Sequence, residues 1–273
     1  MLLRDRLRAR LAEMGDAPDH RRLADEVLGI RNAPPDLARR LVEQALVVED
    51  RRESWDKAGR RIAAEAPSAA GIYVLRDGEG CTLYVGKAVN LRRRLQSHFA
   101  VRRWRGLKAG LARATEAEWQ ETGSELEALL LEARLIHELA PSVNVQIGEP
   151  TLDTRAIPST LMRDVVVVMP SIESDSAELV AARVDGGCVM QRTQRSGVDL
   201  VVHAARLARF FHSPLRRRFD LALSPIVFCW LAVRGARATR LDPHDASSPR
   251  VFRARLAAVL AAEELFTERI VVK

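Results

Sequence analysis

The feature that most constrains the fold is a pair of short apolar runs separated by a polar turn. The runs GIYVLR and CTLYVG flank the residues DGEG at positions 77–80. Runs of this length, rich in β-branched and aromatic residues and divided by a glycine-containing turn, are typical of a β-hairpin. The alternating stretch ATEAEWQET at 114–122 predicts a third strand. The hairpin also contains both tyrosines of the chain, Tyr73 and Tyr84.

Helical patterns separate and follow these strands. They cover residues 90–98, about 102–112 and then the run ELEALLLEARLIHEL. Ser124 precedes that run and Glu127 follows three residues later, which is the capping-box pattern of a helix N-terminus. The order strand, strand, helix, helix, strand, helix predicts an α+β unit over residues 67–147, with a small antiparallel sheet and flanking helices.

The flanking segments predict two further units. Residues 1–66 are predicted to be helical, because their apolar residues recur at helical spacing. Two short stretches within 47–63 predict strands, and three helices with a hairpin would form a winged-helix-like unit whose third helix could face DNA. A helical packing module is the alternative. Residues 148–273 predict a C-terminal α+β domain of unknown role, with strands in DVVVVMP and ELVAARVDGGCVMQRTQR and helices at about 197–212, 219–234 and 249–264.

Composition restricts the partners and the compartment. A net charge of +7 and a pI near 10.0 favour a polyanionic partner such as DNA. Cys81, Cys188 and Cys229 lie far apart and match neither a disulfide framework nor a zinc motif, which fits a reducing compartment. The sequence shows no secretory signal and no apolar run long enough for a membrane span. We therefore expect a cytoplasmic protein that does not enter membranes.

Charge divides the middle segment into a basic and an acidic part. Nine basic residues and no acidic one lie from Lys87 to Arg113, whereas seven glutamates lie from Glu116 to Glu138. Helical spacing draws Glu132 toward the sheet, where a buried carboxylate needs either a divalent cation or an arginine partner. The basic part predicts contacts with DNA phosphates. Its candidate DNA-binding residues are Arg92, Arg93, Arg102, Arg103, Arg105 and Lys108.

The two tyrosines lie on adjacent predicted strands, so their hydroxyl groups could converge on one site. A phenol beside a metal-bound water, an arginine and a lysine can act as a general base or as a relay for water. Tyrosines that only fill the core are the alternative.

The motif GIY at 71–73, followed by YVG at 84–86, resembles the paired motif of the GIY-YIG nuclease superfamily. The resemblance continues in order through Lys87, Asn90, Arg94, His98, Glu132 and Asn144. The run LEALLLEARLIHELAPSVNV is similar to the corresponding helix and exit loop in the N-terminal nuclease domain of the incising component of bacterial excinuclease ABC.

This resemblance implies a catalytic set. Glu132 would be the single protein ligand of a Mg²⁺ or Mn²⁺ ion, and Arg94 would contact the scissile phosphate. One of the two tyrosines would position or deprotonate the attacking water, and the other would support it. Lys87 would supply a positive charge that favours the phenolate form of the tyrosine. His98 would lie beside the phosphate or the metal-bound water. Asn144 would hold the edge of the site or contact the substrate backbone.

The resulting prediction is a divalent-metal-dependent endonuclease that cuts one DNA strand at a time, with DNA repair as its context. One alternative is a non-catalytic DNA-binding module that keeps the nuclease fold. Another is a restriction-type or mobile-element nuclease that reads sequence through its N-terminal helical unit. The RNase H-type domain and helix-hairpin-helix motifs of the excinuclease component are not found in the sequence, so the resemblance does not imply its full incision pathway.

Overall fold

The computed structural model describes residues 3–15, 18–100, 111–147, 157–212, 222–234, 238–246 and 248–262. Helices and two antiparallel sheets make up these ranges, which confirms the α+β prediction. No helix in the described part of the chain is long and apolar enough to cross a bilayer.

Three helices form the N-terminal part of the molecule. They are α1 (Leu3–Met14), α2 (His20–Glu26) and α3 (Pro35–Glu65), and they meet around the buried side chains of Leu7, Leu23 and Val42. The prediction of a hairpin within residues 47–63 is wrong, because α3 continues without a break through them. Its last turns bury one face, since the described core residues Trp55, Ala58 and Ile62 recur three and four positions apart. The predicted helical character of this part is confirmed, and the wing is absent from its described residues.

The middle segment contains the predicted three-stranded sheet. Strands β1 (Gly71–Asp77), β2 (Thr82–Ala88) and β3 (Ala114–Glu121) are antiparallel in the order β2-β1-β3. Asn90 caps α4 (Leu91–His98), and the prediction for 102–112 falls mostly outside the described residues. Ser124 caps α5 (Glu125–Leu139) as predicted, and α6 (Ser142–Ile147) follows.

The C-terminal part has a second antiparallel sheet, formed by β4 (Val165–Pro170), β5 (Ser176–Ala182), β6 (Cys188–Gln194) and β7 (Thr239–Leu241) in the order β6-β5-β4-β7. The strand β7, in the polar stretch RATRLDPHD, was not predicted, because it is three residues long and, among the described strands, pairs only with β4. The other predicted strands and helices are present. The helices of this part are α7 (Leu200–His212), α8 (Ser224–Arg234) and α9 (Pro249–Ala261).

The apolar cores cross both predicted unit boundaries, at 66/67 and at 147/148. The end of α3 packs into the core of the first sheet, where Trp55 contacts Phe99 with ring centroids 4.3 Å apart. Helix α5 contributes Leu126 and Leu130 to a core that also contains residues of the second sheet and of α8. The first sheet is therefore bounded by α3, which belongs to the N-terminal part, and by α5, which also packs against the second sheet.

Candidate active site

The first sheet and α4 bring three aromatic side chains together. The β1–β2 register places Tyr73 opposite Gly86, and α4 carries His98 across the two strands. The ring centroids of Tyr73 and Tyr84 are 6.0 Å apart, and that of His98 lies 5.7 Å and 5.6 Å from them. The predicted convergence of the two tyrosines is therefore present in the structure.

Tyr73 lies at the buried centre of this group. Its side chain is 0% exposed, and its hydroxyl is 2.8 Å from Nε2 of His98. Arg94 donates from Nε to the same oxygen at 3.4 Å. Since the arginine is only a donor, the phenol oxygen accepts in this hydrogen bond. Burial raises the pKa of Tyr73, and the nearby Tyr84 raises it further.

Gly86 makes this close arrangement possible. A Cβ atom at this position would lie 2.7 Å from the Tyr73 hydroxyl oxygen and 2.7 Å from a ring carbon of Tyr84. Both distances are far shorter than a van der Waals contact. The glycine of the YVG motif therefore leaves room for the two phenols to lie close together, next to Arg94, whose Nε is hydrogen-bonded to the Tyr73 hydroxyl.

Glu132 lies in the middle of α5 and faces the C-terminal end of β2. Its Oε1 accepts a hydrogen bond of 3.0 Å from the backbone N–H of Lys87. Burial raises the pKa of Glu132, and the charge and backbone N–H of Lys87 and the charge of Arg94 oppose the rise. The charge of Lys87 thus acts on Glu132, whereas the sequence resemblance assigned it to a tyrosine. The hydrogen bond to Glu132 comes from this backbone group, not from the arginine that we considered as an alternative partner.

The donor set at Glu132 fits a hydrated magnesium ion. No group of three or more histidine, cysteine, aspartate or glutamate side chains in the described residues could enclose a metal. Mg²⁺ typically keeps several waters and binds one or two carboxylates together with substrate phosphate oxygens. A partly buried carboxylate that is oriented by one backbone donor, with cationic side chains nearby to receive a phosphate, matches that requirement.

Asn144 holds the edge of the sheet. Its Oδ1 accepts from the backbone N–H of Val85 at 2.8 Å, and its Nδ2 donates to the carbonyl of the same residue at 2.9 Å. Because β2 is an edge strand, these two bonds replace those that a further strand would make. Of the two roles implied for Asn144, the structure favours the edge of the site over a contact to substrate.

The predicted DNA-binding residues divide into three groups. Arg93 is exposed on α4. Arg92 is also exposed, but its Nε donates to the carbonyl of Ala66 at 2.7 Å, so part of its guanidinium is occupied within the protein. Asn90, which the resemblance included without a role, accepts from the backbone N–H of Arg93 and fixes the start of α4. The other candidates lie outside the described residues, namely Arg102, Arg103, Arg105 and Lys108.

Comparison with known proteins places this site in a family. Residues 69–145 match the family of UvrC-like GIY-YIG domains. UvrABC system protein C of Desulforudis audaxviator is 43% identical over 83 residues, which are 30% of this chain and 14% of that protein. The Natronomonas pharaonis protein of the same name is 37% identical over 147 residues, 54% of this chain and 24% of its own. The chain thus matches about a seventh to a quarter of the length of these curated relatives.

A solved structure covers the same segment. It is the GIY-YIG N-terminal endonuclease domain of UvrC from Thermotoga maritima, described as bound to its catalytic divalent cation, magnesium. The identity is 32%, the alignment covers 32% of this chain and 94% of that one, and the TM-score is 0.27. The family match covers every residue of the predicted catalytic set, from Tyr73 to Asn144. Residues 69–145 of the chain therefore belong to the GIY-YIG nuclease superfamily as a UvrC-like domain.

Proposed function

We propose that the protein is a magnesium-dependent endonuclease that hydrolyses DNA phosphodiester bonds and cuts one strand at a time. The observation that carries this proposal is one continuous site. In it Arg94 is hydrogen-bonded to Tyr73 beside Tyr84, and the charge of Arg94 acts on the half-buried carboxylate of Glu132. A domain that only gripped DNA would have no use for a carboxylate whose burial is unfavourable and which faces a phosphate-binding arginine.

Glu132 would hold the cation. When bound, the ion supplies a Lewis acid that stabilises negative charge on the scissile phosphate and on the leaving oxygen. The protein contributes the orientation of the carboxylate, because the Lys87 N–H fixes one of its oxygens and leaves the other for a ligand. Mn²⁺ would be accepted in place of Mg²⁺, since both take oxygen ligands.

Arg94 would bind the same phosphate. Its Nε is hydrogen-bonded to the Tyr73 hydroxyl, so its planar fork is oriented before a substrate arrives. A guanidinium that is fixed in this way stabilises the charge that develops on the phosphate without having to reorganise.

Tyr84 is the better candidate for contact with the attacking water. Tyr73 is fully buried, and its hydroxyl is engaged by His98 and Arg94. Tyr84 is partly exposed and lies beside the same histidine. We therefore assign positioning of the water to Tyr84, and support of His98 and Arg94 to Tyr73. His98 would then act on the site through its hydrogen bond with the Tyr73 hydroxyl.

The DNA would approach along the basic segment that begins at α4. Arg93 is exposed one position before Arg94 and is the described residue best placed to contact a neighbouring phosphate. Repair of DNA in the cytoplasm is the context that we propose for this activity, on the resemblance to the excinuclease component.

The test is the nicking of supercoiled plasmid DNA by the full chain. With Mg²⁺ we expect conversion to the open circular form, with linear product appearing only after long incubation, because one such site cuts one strand. EDTA should abolish the conversion, and Tyr84→Phe should slow it by about a hundredfold or more, as expected for a group that assists proton transfer. Salt-dependent DNA binding without any nicking in Mg²⁺ or Mn²⁺ would favour the non-catalytic binding module instead.

A further inference from the structure

Helix α5 is buried on two sides, and the two sides belong to different sheets. On one side, Ala128 and Leu131 pack against Ile72 of the first sheet. On the other side, Leu126 and Leu130 enter the core formed by β4, β5 and α8. Glu132, the proposed metal ligand, lies on this helix. Its position is therefore determined by the C-terminal part of the molecule as well as by the nuclease sheet.

The N-terminal turn of α5 is attached to the second sheet through charged groups. Glu127 of α5 and Glu178 of β5 are only 2% and 3% exposed. Arg192 of β6 lies between them, with Nε 2.5 Å from Glu178 and a terminal nitrogen 3.7 Å from Glu127. Its other terminal nitrogen is 3.5 Å from the exposed Glu173. One guanidinium therefore faces three carboxylates, and two of these are buried.

Arg192 supplies the positive charge of this cluster, whereas the other donors to its two buried carboxylates are neutral groups. Glu127 also accepts from the backbone N–H of Gly123 at 2.8 Å, and Glu178 accepts from the Ser171 hydroxyl at 3.1 Å. Burial raises the pKa of Glu127, the charge of Glu178 adds to the rise, and Arg192 opposes it. Without the arginine, two buried carboxylates would share one site without an ion-pair partner among the described residues. The repulsion could be relieved by moving the end of α5 away from β5.

We propose that Arg192 is a positioning residue for the metal site. It holds the buried end of α5 against the second sheet and thereby sets the place of Glu132, five residues and about 7.5 Å further along the same helix. This inference rests on the proposed function, because it takes Glu132 as the ligand of the cation. It assigns to residues 157–262 a part in building the nuclease site, where the sequence predicted a separate domain of unknown role.

The experiment measures Mn²⁺ binding by the full chain without DNA, using the electron paramagnetic resonance signal of free Mn²⁺. Wild type should bind one ion, and Glu132→Gln should remove that binding. Arg192→Met should weaken it about tenfold, which is the lower end of what loss of a supporting contact costs a metal site. Arg183→Met is the control, because Arg183 is a largely buried arginine directly after β5 that pairs with Asp185 and donates to the carbonyl of Phe210 on α7. It should lower the unfolding temperature and leave the Mn²⁺ affinity unchanged.

A rescue variant separates positioning from general stability. Arg192→Met/Glu127→Gln removes the unpaired charge from α5, and the glutamine amide oxygen can still accept from the Gly123 N–H. The Mn²⁺ affinity should therefore return to within about twofold of wild type, compared with the tenfold loss in Arg192→Met. Arg192→Met/Glu178→Gln leaves the charge on α5 and should restore less. If Arg192→Met does not fold, Arg192→Lys replaces it and should show an intermediate loss.

The outcomes distinguish the two proposals. If wild type binds no Mn²⁺ at Glu132, the proposed metal role of Glu132 fails, and the inference about Arg192 fails with it. If wild type binds Mn²⁺ through Glu132 but the Arg192 variants bind it equally well, only the positioning role is overturned. Affinity that falls in parallel with the unfolding temperature in all variants, Arg183→Met included, would also overturn it.

Discussion

At the scale of single residues, burial decides the state of the central tyrosine. Tyr73 is fully enclosed, and its hydroxyl lies between an arginine and a histidine. Burial disfavours the phenolate more strongly than Arg94 favours it, so the pKa is raised above its ordinary value. Tyr73 therefore remains a neutral phenol at physiological pH and acts through its hydrogen bonds.

This raised pKa predicts a loss of stability in alkali. The unfolded chain releases the Tyr73 proton near pH 10, whereas the folded protein retains it, so each pH unit above 10 favours the unfolded state by about 1.4 kcal/mol from this group. The stability is fully present below pH 10. Urea unfolding at pH 8 and pH 11 should show a smaller loss for Tyr73→Phe than for wild type. An equal loss in the two proteins would show that the phenol ionises normally in the folded state.

The sequence motif predicted which side chains meet but not how they are bonded. Tyr73, Tyr84, Arg94, His98 and Glu132 could be named, because their residue types and order match a known pattern. The hydrogen bond from the Lys87 backbone to Glu132 joins residues 45 positions apart and depends on how α5 packs on the sheet. No local pattern in the sequence carries that information.

At the scale of elements, Asn144 completes the edge strand of the first sheet. Its side chain satisfies both backbone groups of Val85, the central residue of the YVG motif. Asn144→Ala would leave a partly buried N–H and a carbonyl unpaired. The free energy of unfolding should fall by about 1–3 kcal/mol, and nicking should slow because β2 carries Tyr84 and Gly86.

The control for this prediction is Asn144→Asp. Aspartate can still accept from the Val85 N–H but cannot donate to its carbonyl, so its urea midpoint should lie at or near that of the alanine variant. A midpoint equal to that of wild type in both variants would show that this pair of hydrogen bonds does not stabilise the strand.

The long helix α3 shows where local reasoning failed. Asp56 and Gly59 are common in turns, and they suggested a hairpin within 47–63. In the structure Gly59 faces α4, and a Cβ atom there would lie 2.4 Å from the Cβ of Phe99. The glycine serves close packing between helices and does not mark a turn. Tertiary contacts, which a local sequence pattern does not show, therefore determine the structure of residues 47–63.

Gly59→Ala tests that interpretation. The added methyl group should cost about 1–3 kcal/mol through overpacking against Phe99. That cost exceeds the gain of about 1 kcal/mol that alanine brings to a helix interior. Gly78→Ala is the matched control, because its Cβ would meet only the Thr115 hydroxyl at 3.8 Å. Thermal unfolding should show a lower midpoint for Gly59→Ala alone, and a higher midpoint would indicate an ordinary exposed helix position.

At the scale of the whole molecule, the nuclease sheet is enclosed by parts of the chain that lie outside its own segment. The end of α3 packs on one side, and the second sheet packs behind α5. Gly123 marks the second contact, because a Cβ atom there would lie 2.3 Å from the carbonyl carbon of Ser171. The order of elements predicted the two sheets, but not this shared packing, since sequence periodicity shows that a face is buried and not what covers it.

Shared cores predict cooperative unfolding. Gly123→Ala forces the start of α5 away from the loop after β4, and it should lower the unfolding midpoint by several degrees. Because α5 belongs to both cores, the transition should remain single and shift as a whole. Thermal unfolding followed by circular dichroism and by tryptophan fluorescence provides the check. Two separate transitions, with only one of them shifted, would show that the segments fold independently.

The most direct test of the central claim is the Mg²⁺ dependence of plasmid nicking by wild type and by Glu132→Gln, at saturating DNA. The glutamine can still accept from the Lys87 N–H, so the fold and DNA binding should be preserved while the carboxylate charge is lost. Our account predicts nicking that saturates with Mg²⁺ in wild type and no nicking by the variant at any Mg²⁺ concentration. Nicking by Glu132→Gln at the wild-type rate would contradict it.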